Sequence, residues 1–568
     1  MANAAEYPPS MTYDQQETPQ QSVGARDSEK DVEKQGVAVA GDVAPAGLAS
    51  GETLQRQLKS RHVAMISIGG VIGTGLFVGT APALANGGPL GILLGYGVMA
   101  SVVFAVMVAL GEAISHIPCS GGHITLAARF FDAPLSFAMG WNYWYNWTIV
   151  LPAELSAAAV LVQYWDTDTS HVAAYITVTL FVAVIINFGG TKLYGEMEFW
   201  FASIKVITIM GLIILGFVLV GGGGPNHHAI GGENWRDPGP FTQYLGIEGS
   251  LGRFLGFWST LVQSAFSYIG TEIVAIAAGE AKNPKKTIPS AIRKVWIRII
   301  FFYILGVLII GLLVPSNDPR LALDSGTAAA SPFVIAISDA GIKGLPSVIN
   351  AALLTSAWSA ASSDLYTSSR ALYGLALNGS APRIFARTNS KGLPYVAVAL
   401  GTAFACLSYM SAGSSSAGKV FGWFANMTSV AGLLTWLGIC LTYVRFYHGT
   451  KVQGIDRRTL AYHAPLQPWL TYYAITLLCL ILFFSQFSVF IHGQWNTADF
   501  ITSYLPIMLF PTIYVAKYAW DRYYRRLPYA AWGRTPLDQL DFVSGSGVEE
   551  EEEEPPKNLW EKFWAIVA

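Results

Sequence analysis

Three ionisable residues stand inside otherwise apolar stretches of this chain: Glu154 in VLPAELSAA, Lys205 in FASIKVITI and Glu272 in FSYIGTEIVAIAAG. Charge at membrane depth is costly, so such residues are functional candidates by default. Burial penalises the charged form of an acid or an amine, which suits these groups to exchanging a proton near neutral pH. A second use fits Lys205 and Glu154 as well, a static pair that holds helices together. Spacing alone does not choose between them.

Two glycine-rich interruptions must position these groups. The first is SIGGVIGTGLFVGT (Ser67 to Thr80), with Gly69, Gly70, Gly73, Gly75 and Gly79; the second is FSYIGTEIVAIAAG (Phe266 to Gly279), which contains Glu272. Helix-breaking sequence at membrane depth frees backbone groups, tolerated only where they are buried in protein or line a polar cavity. Two such breaks in corresponding positions of a chain mark the substrate site of a transporter. If the first segment unwinds near Gly73-Thr74-Gly75, one half-helix presents N–H groups and the other carbonyls, a pairing that suits a zwitterion. A carboxylate then sits near Thr74 and Gly75. An ammonium faces carbonyls around Ile72 and the matching break from Phe266 to Ile269. The glycines also fit the other use of small residues in membranes, close helix packing.

Composition agrees. The 568 residues are 52% hydrophobic and 13% charged, with mean hydropathy +0.41, which places the chain among membrane proteins. A net charge of −2 gives no reason to expect nucleic acid. Cys119, Cys406, Cys440 and Cys479 lack metal-ligand spacing and read as packing residues. No nucleophile–base constellation, phosphate loop or metal cluster appears, which argues against an enzyme. Adjacent His227 and His228 have no further ligand nearby in sequence and read as a solvated loop.

Twelve apolar segments are long enough to span a bilayer, with cores near 63–84, 91–111, 134–163, 171–189, 195–220, 253–278, 296–315, 344–368, 395–412, 420–445, 467–491 and 500–520. The cations cluster after even-numbered segments (Lys282, Lys285, Lys286, Arg370, Arg383, Arg445, Arg457, Arg522), so both termini are expected on the cytoplasmic side. Residues 1–57 read as a disordered tail without a signal-peptide core, and 527–568 as a second tail with an acidic run from Glu549 to Glu554. The sequons at Asn146, Asn378 and Asn426 fall within spans or on the inner face, so no N-glycan is expected. The eighth segment carries hydroxyls and an acid (Thr355, Ser356, Ser359, Ser362, Ser363, Asp364), which fit either an ion site against the first segment or helix contacts. The tenth opens with Phe421, Trp423 and Phe424, an interfacial belt by composition; Asn426 and Thr428, deeper in, are candidates for a pocket wall.

The motifs IGGVIGTGLFVGT, PAELSAA, EFWFASIKVI, FSYIGTEIVAIAAGEAKNPKKTIPSAI, LTSAWSAASSDLYTSSRALYGLALNGSAPRIF and WFANMTSVAGLLTW resemble those of the fungal amino-acid permeases, the yeast amino-acid transporter family within the amino acid–polyamine–organocation superfamily. The likeness runs from about Leu58 to Arg526. It implies an all-α membrane protein of 12 transmembrane helices, a five-plus-five inverted repeat (LeuT-like) with discontinuous helices 1 and 6 and two additional C-terminal helices. The transporter domain is then 58–526, with repeats at 58–220 and 253–447 and the extra helices at 467–520.

The resemblance further implies a plasma-membrane symporter of L-amino acids, neutral ones such as proline or a broad range, with the proton as coupling ion and no cofactor or metal. Gly73, Thr74 and Gly75 would hold the substrate carboxylate, and Phe266, Ser267, Ile269 and Gly270 the ammonium side and gate. Lys205 would stand where a sodium ion sits in related carriers, with Glu272 and Glu154 as further proton-coupling groups. Thr428 matches a position linked to side-chain preference. Lys30 and Lys34 would be acceptors for ubiquitin-ligase machinery. The alternative is a transport-inactive amino-acid sensor of the same fold; such sensors have longer N-terminal domains.

Overall fold

The computed structural model describes residues 73–119, 121–273, 290, 292, 295–322, 331–389, 392–413 and 417–544. Ile72, the tail with Lys30 and Lys34, and the acidic run lie outside the described residues. Within them the chain is helical with no strand, and eight helices are long and apolar enough to cross a membrane.

The first break is a short turn, α1 (Thr74–Phe77), entered from extended backbone at Gly73 (φ −102°, ψ −163°). α2 (Thr80–His116) follows, bent where Gly88 (φ +73°) and Pro89 interrupt it. Proline removes a helix hydrogen bond and glycine alone takes this φ cheaply, so the bend is written in the sequence. α3 (Gly122–Phe130) connects to α4 (Ala133–Val162), whose Asp132 cap accepts from Leu135 N–H at 2.7 Å. Then come α5 (Val172–Phe188), α6 (Thr191–Val220) and α7 (Gly249–Tyr268), the last ending at the second break. α8 (Val295–Leu313), α9 (Leu345–Leu377), α10 (Tyr395–Ala412), α11 (Ala417–Val452), α12 (Trp469–Phe483) and α13 (Thr497–Ala519) complete the bundle.

α2 packs on α7, and α4 is held between α9 and α11. Large side chains fill the centre, among them Trp436, Tyr96, Tyr268, Tyr303 and Tyr443. The faces left open on α5, α6 and α13 are apolar, with Phe181, Ile185, Ile207, Ile214, Ile501 and Met508 exposed, as lipid-facing surfaces require. Of the cysteines, Cys440 is buried and Cys119, partly buried, packs against the core, whereas Cys406 and Cys479 are exposed on α10 and α12. His228 pairs with Glu233 at 3.6 Å on the exposed surface, and among the described residues no group of three metal-type ligands occurs.

One end of the bundle is basic and tied together by polar contacts. Glu112, at the end of α2, is fully buried and accepts from Arg457 Nε and Nη2 at 2.6 Å each, Tyr443 Oη at 2.6 Å and Ala464 N–H at 2.8 Å. A carboxylate can be buried at this cost only when so fully matched. The chain after α13 returns to the same end. Gln453 donates to the carbonyls of Leu537 and Leu540, Arg129 donates to those of Asp541 and Ser544, and Phe542 packs on Phe130 and Phe446 with ring centroids 5.2 and 5.5 Å apart. Residues 534–544 are thus part of the fold, not a solvated tail.

Candidate binding site at the paired helix breaks

The second break is abrupt. α7 ends at Tyr268, Ile269 turns out of helix (ψ 142°), and Gly270 takes φ +88° before the chain turns helical again at Thr271. A side chain at Gly270 would be strained by that φ and would also meet the Trp147 ring at 3.0 Å. Thr271 caps the break by donating its hydroxyl to the Tyr268 carbonyl at 2.5 Å.

The two breaks touch. A Cβ built on Gly75 would lie 3.0 Å from Cδ1 of Phe266 and from Cα and Oγ of Ser267. Ser267 Oγ shares a hydrogen bond of 2.7 Å with Tyr96 Oη from α2. Phe266 packs edge-on against Phe421 of α11, ring centroids 5.8 Å apart, so Phe421 and Phe424 point inward rather than forming an interfacial belt. Gly432 lets α11 approach Ile269, where a Cβ would come within 2.8 Å.

Glu154 lies against the first break. A Cβ on Gly73 would be 3.0 Å from its Oε1 and 4.0 Å from the Ala360 Cβ of α9. Its Oε2 and the hydroxyl of Thr74 are both buried. The backbone and hydroxyl of Thr74, in the first turn of α1, reach the Glu154 carboxylate, so Glu154 stands where a ligand carboxylate would be drawn.

Lys205 is buried on α6 with Nζ 4.0 Å from Glu198 Oε1, and Glu154 and Asp364 are within electrostatic reach of the same ammonium. Glu272 sits elsewhere: its Oε2 accepts from Trp436 Nε1 of α11 at 3.1 Å. Asn426 is also apart, lining a polar cavity with Asn86, Gln263 and Ser485 beyond Phe266, while Thr428 is fully buried with its hydroxyl unpartnered. The structure therefore brings together Gly73, Thr74, Gly75, Phe266, Ser267, Ile269, Gly270 and Glu154, adjoined by Lys205. The α9 hydroxyls divide: Ser359 donates to Glu198, Ser363 accepts from Tyr194 and Ser362 meets Asn187, contacts with α5 and α6, whereas Thr355 donates to the Ala352 carbonyl of its own helix and Ser356 is buried without a hydrogen-bond partner.

Sequence reasoning missed Tyr96 and Glu198. Tyr96 lies in an unbroken apolar run where a tyrosine carries no signal. Glu198 stands seven residues before Lys205, two helical turns away on one face, and that spacing was a legible cue.

Long apolar helices around two facing breaks, with ionisable groups buried beside them, define an integral membrane protein built around a central polar site. Residues 62–527 match the amino acid permease model. The chain belongs to that family, one of permeases and not of enzymes. It is 41% identical to a proline-specific permease of Emericella nidulans over 90% of this chain and 92% of the relative. It is 43% identical to the dicarboxylic amino acid permease of Saccharomyces cerevisiae over 82% and 77%. It is 40% identical to the lysine-specific permease of the same yeast over 91% and 83%.

Proposed function

We propose that this protein is a secondary-active, proton-coupled symporter that imports L-amino acids across the plasma membrane by alternating access. The observation that carries the reading is the place of Glu154 beside the Gly73–Thr74 turn. A substrate carboxylate arriving at the N–H groups of that turn meets the Glu154 carboxylate, and two like charges at that distance repel. A proton on Glu154 removes the repulsion, so proton and substrate favour each other's binding, the reciprocal linkage a symporter needs. The substrate ammonium then faces the carbonyls at the second break, between Phe266 and Ile269.

The reading takes the bundle as twelve spans, with 58–220 and 253–447 as inverted repeats and α12 and α13 outside them. What supports it is that the breaks fall in the first and sixth segments and that corresponding segments, α4 with α9 and α2 with α8, pack on each other. The basic end, with Arg129, Arg370, Arg445 and Arg457, faces the cytoplasm together with both termini. Neutral amino acids suit the site, whose described lining is glycine, hydroxyl, aromatic and aliphatic apart from Glu154. Relatives named for proline, lysine and dicarboxylic substrates frame a panel.

The test is uptake of labelled L-proline, L-lysine and L-glutamate in permease-deficient yeast expressing the protein, with and without a protonophore. Accumulation abolished by the protonophore is the expected result. Uptake indifferent to it would remove the coupling, and surface-expressed protein that transports none of a full amino-acid panel would favour the sensor.

A further inference from the structure

Below Lys205, toward the basic end, a line of polar side chains runs between α6 and α9 with no part in holding the substrate. Glu198 lies two turns from Lys205, about 10 Å along the helix. Its Oε1 is 4.0 Å from Lys205 Nζ, and its Oε2 accepts from Ser359 Oγ at 2.6 Å. One turn further along α9, Ser363 Oγ accepts from Tyr194 Oη at 3.1 Å. Tyr194 stacks on Tyr366 with centroids 3.9 Å apart and planes 11° from parallel, and the Arg370 guanidinium lies 3.2 Å over Tyr366.

The titratable groups around Glu198 can be named from each neighbouring helix: α6 itself supplies Lys205 and Tyr194 and α9 supplies Asp364, while Glu154 of α4 reaches Lys205 and Asp364, and Tyr366 and Arg370 of α9 reach Tyr194; α5 contributes the neutral Asn187, bonded to Ser362. Glu154, Glu198, Asp364 and Lys205 are each at most 4% exposed. Three carboxylates around one ammonium cannot all stay ionised in such a place, so the cluster is built to hold and hand on protons. Glu198 Oε1 and Asp364 Oδ2, moreover, are buried without a hydrogen-bond partner.

We propose that Glu198, held by Ser359, is the proton-release residue, taking the coupling proton from Lys205 and passing it by way of Ser363 and Tyr194 to water at the basic end. A small rotation of the flexible lysine stem closes the 4.0 Å gap. An Nζ–H bond breaks, an Oε1–H bond forms, and the electron pair stays on nitrogen, leaving neutral amine and carboxylic acid. The acid then gives its proton to Ser363 Oγ as that hydroxyl gives its own to Tyr194 Oη and the phenol gives its own to water, restoring the Glu198 carboxylate and both neutral hydroxyls and yielding hydronium. Glu154 loads the proton where substrate binds and passes it to the neutral Lys205 amine, an O–H bond breaking and an Nζ–H bond forming, which restores the Glu154 carboxylate and the ammonium; Glu198 unloads it. The assignment rests on proton-coupled transport and on the basic end facing the cytoplasm.

The experiment uses the full-length protein in proteoliposomes, with whichever of L-proline, L-lysine and L-glutamate the wild type transports best. Two activities are compared: accumulation driven by an imposed proton gradient, and exchange of internal for external amino acid, which needs no net proton release. Glu198→Gln is expected to lower driven accumulation by about tenfold or more, in the range of a lost acid–base group, while exchange stays within about twofold. Glu198→Asp should recover part of the accumulation, and Ser359→Ala should slow accumulation but spare exchange. Wild type without driven accumulation would defeat the coupling reading and leave nothing for Glu198 to release. Coupled wild type with normal accumulation in Glu198→Gln overturns the assignment to Glu198 alone. Equal loss of accumulation and exchange in both Glu198→Gln and Ser359→Ala also overturns it, making the cluster a packing element.

Discussion

Gly75 and Ser267 meet with no room for another carbon: a Cβ on Gly75 would stand 3.0 Å from Cα and Oγ of Ser267. The Cα is backbone, which cannot swing aside as a side-chain tip can. Overpacking of this kind costs about 1–3 kcal/mol, so Gly75→Ala is expected to cut uptake about ten- to a hundredfold at equal surface level. Wild-type uptake in that variant would show that the breaks do not touch in the working protein.

Glu154 should govern how transport answers to pH. With its carboxylate beside Gly73, alkaline conditions set it against an incoming carboxylate. Glu154→Gln carries no charge at any pH, so its substrate affinity should no longer fall as pH rises, and a proton gradient should no longer drive accumulation. Binding measured from pH 5 to 8 checks this; equal pH slopes in variant and wild type would sink it.

Tyr96→Phe removes only the hydroxyl bonded to Ser267 at 2.7 Å. A buried hydrogen bond is worth about 1 kcal/mol net, so KM should rise about fivefold with little change in maximal rate. Conversely, an unchanged KM with a lowered maximal rate would place Tyr96 in the conformational step instead of the resting geometry of the break.

These residues also show what the sequence could and could not reveal. The breaks were legible because glycine at membrane depth has few other uses, and both fall where SIGGVIGTGLF and FSYIGTE predict, as far as the described residues reach. Asn426 does line a cavity, as its type suggests, but one shared with Asn86, Gln263 and Ser485 and not with the residues of the breaks, a difference its type alone does not reveal. Phe421 was misread as a belt residue because an aromatic near a helix start looks the same whether it meets lipid or Phe266. Helix rotation settles such cases, and apolar periodicity is weak in a helix buried nearly all round.

His123 on α3 gives an acid-stability prediction. It is fully buried against Tyr143, ring centroids 5.0 Å apart, neither ring nitrogen has a hydrogen-bond partner, and burial pushes it down to about 4. Above pH 6.5 neither folded nor unfolded chain protonates it, so it adds no pH dependence. Between 6.5 and about 4 the unfolded chain takes a proton that the folded ring refuses, and stability falls with pH, by about 3 kcal/mol over the window. His123→Phe keeps the ring contact and should flatten this limb when Tm is compared at pH 5 and 7.5. An identical fall in the variant would assign the acid loss to other groups.

Phe542 reports on the returning C-terminal segment. It is buried among Phe130, Phe446 and His116. Phe542→Ala should cost about 3 kcal/mol, read as a Tm lower by several degrees and as faster protease cleavage near residue 540. If thermal and protease resistance are both unchanged, the segment does not stay docked.

The bend at Gly88 also fixes how far the opposite end of the bundle can part without breaking anything. Pro240 and Phe241, from the connection between α6 and α7, sit 2.8 Å from where a Gly88 Cβ would be, and Leu90 N–H donates to the Pro240 carbonyl at 2.9 Å. The connection is stitched to the corner beside the first break. Swinging that corner outward therefore drags residues 240–242 along as a towline, and through Gly249 it pulls on the start of α7, so the two broken helices are harnessed at both ends: by direct contact at Gly75 and Ser267, and by backbone here.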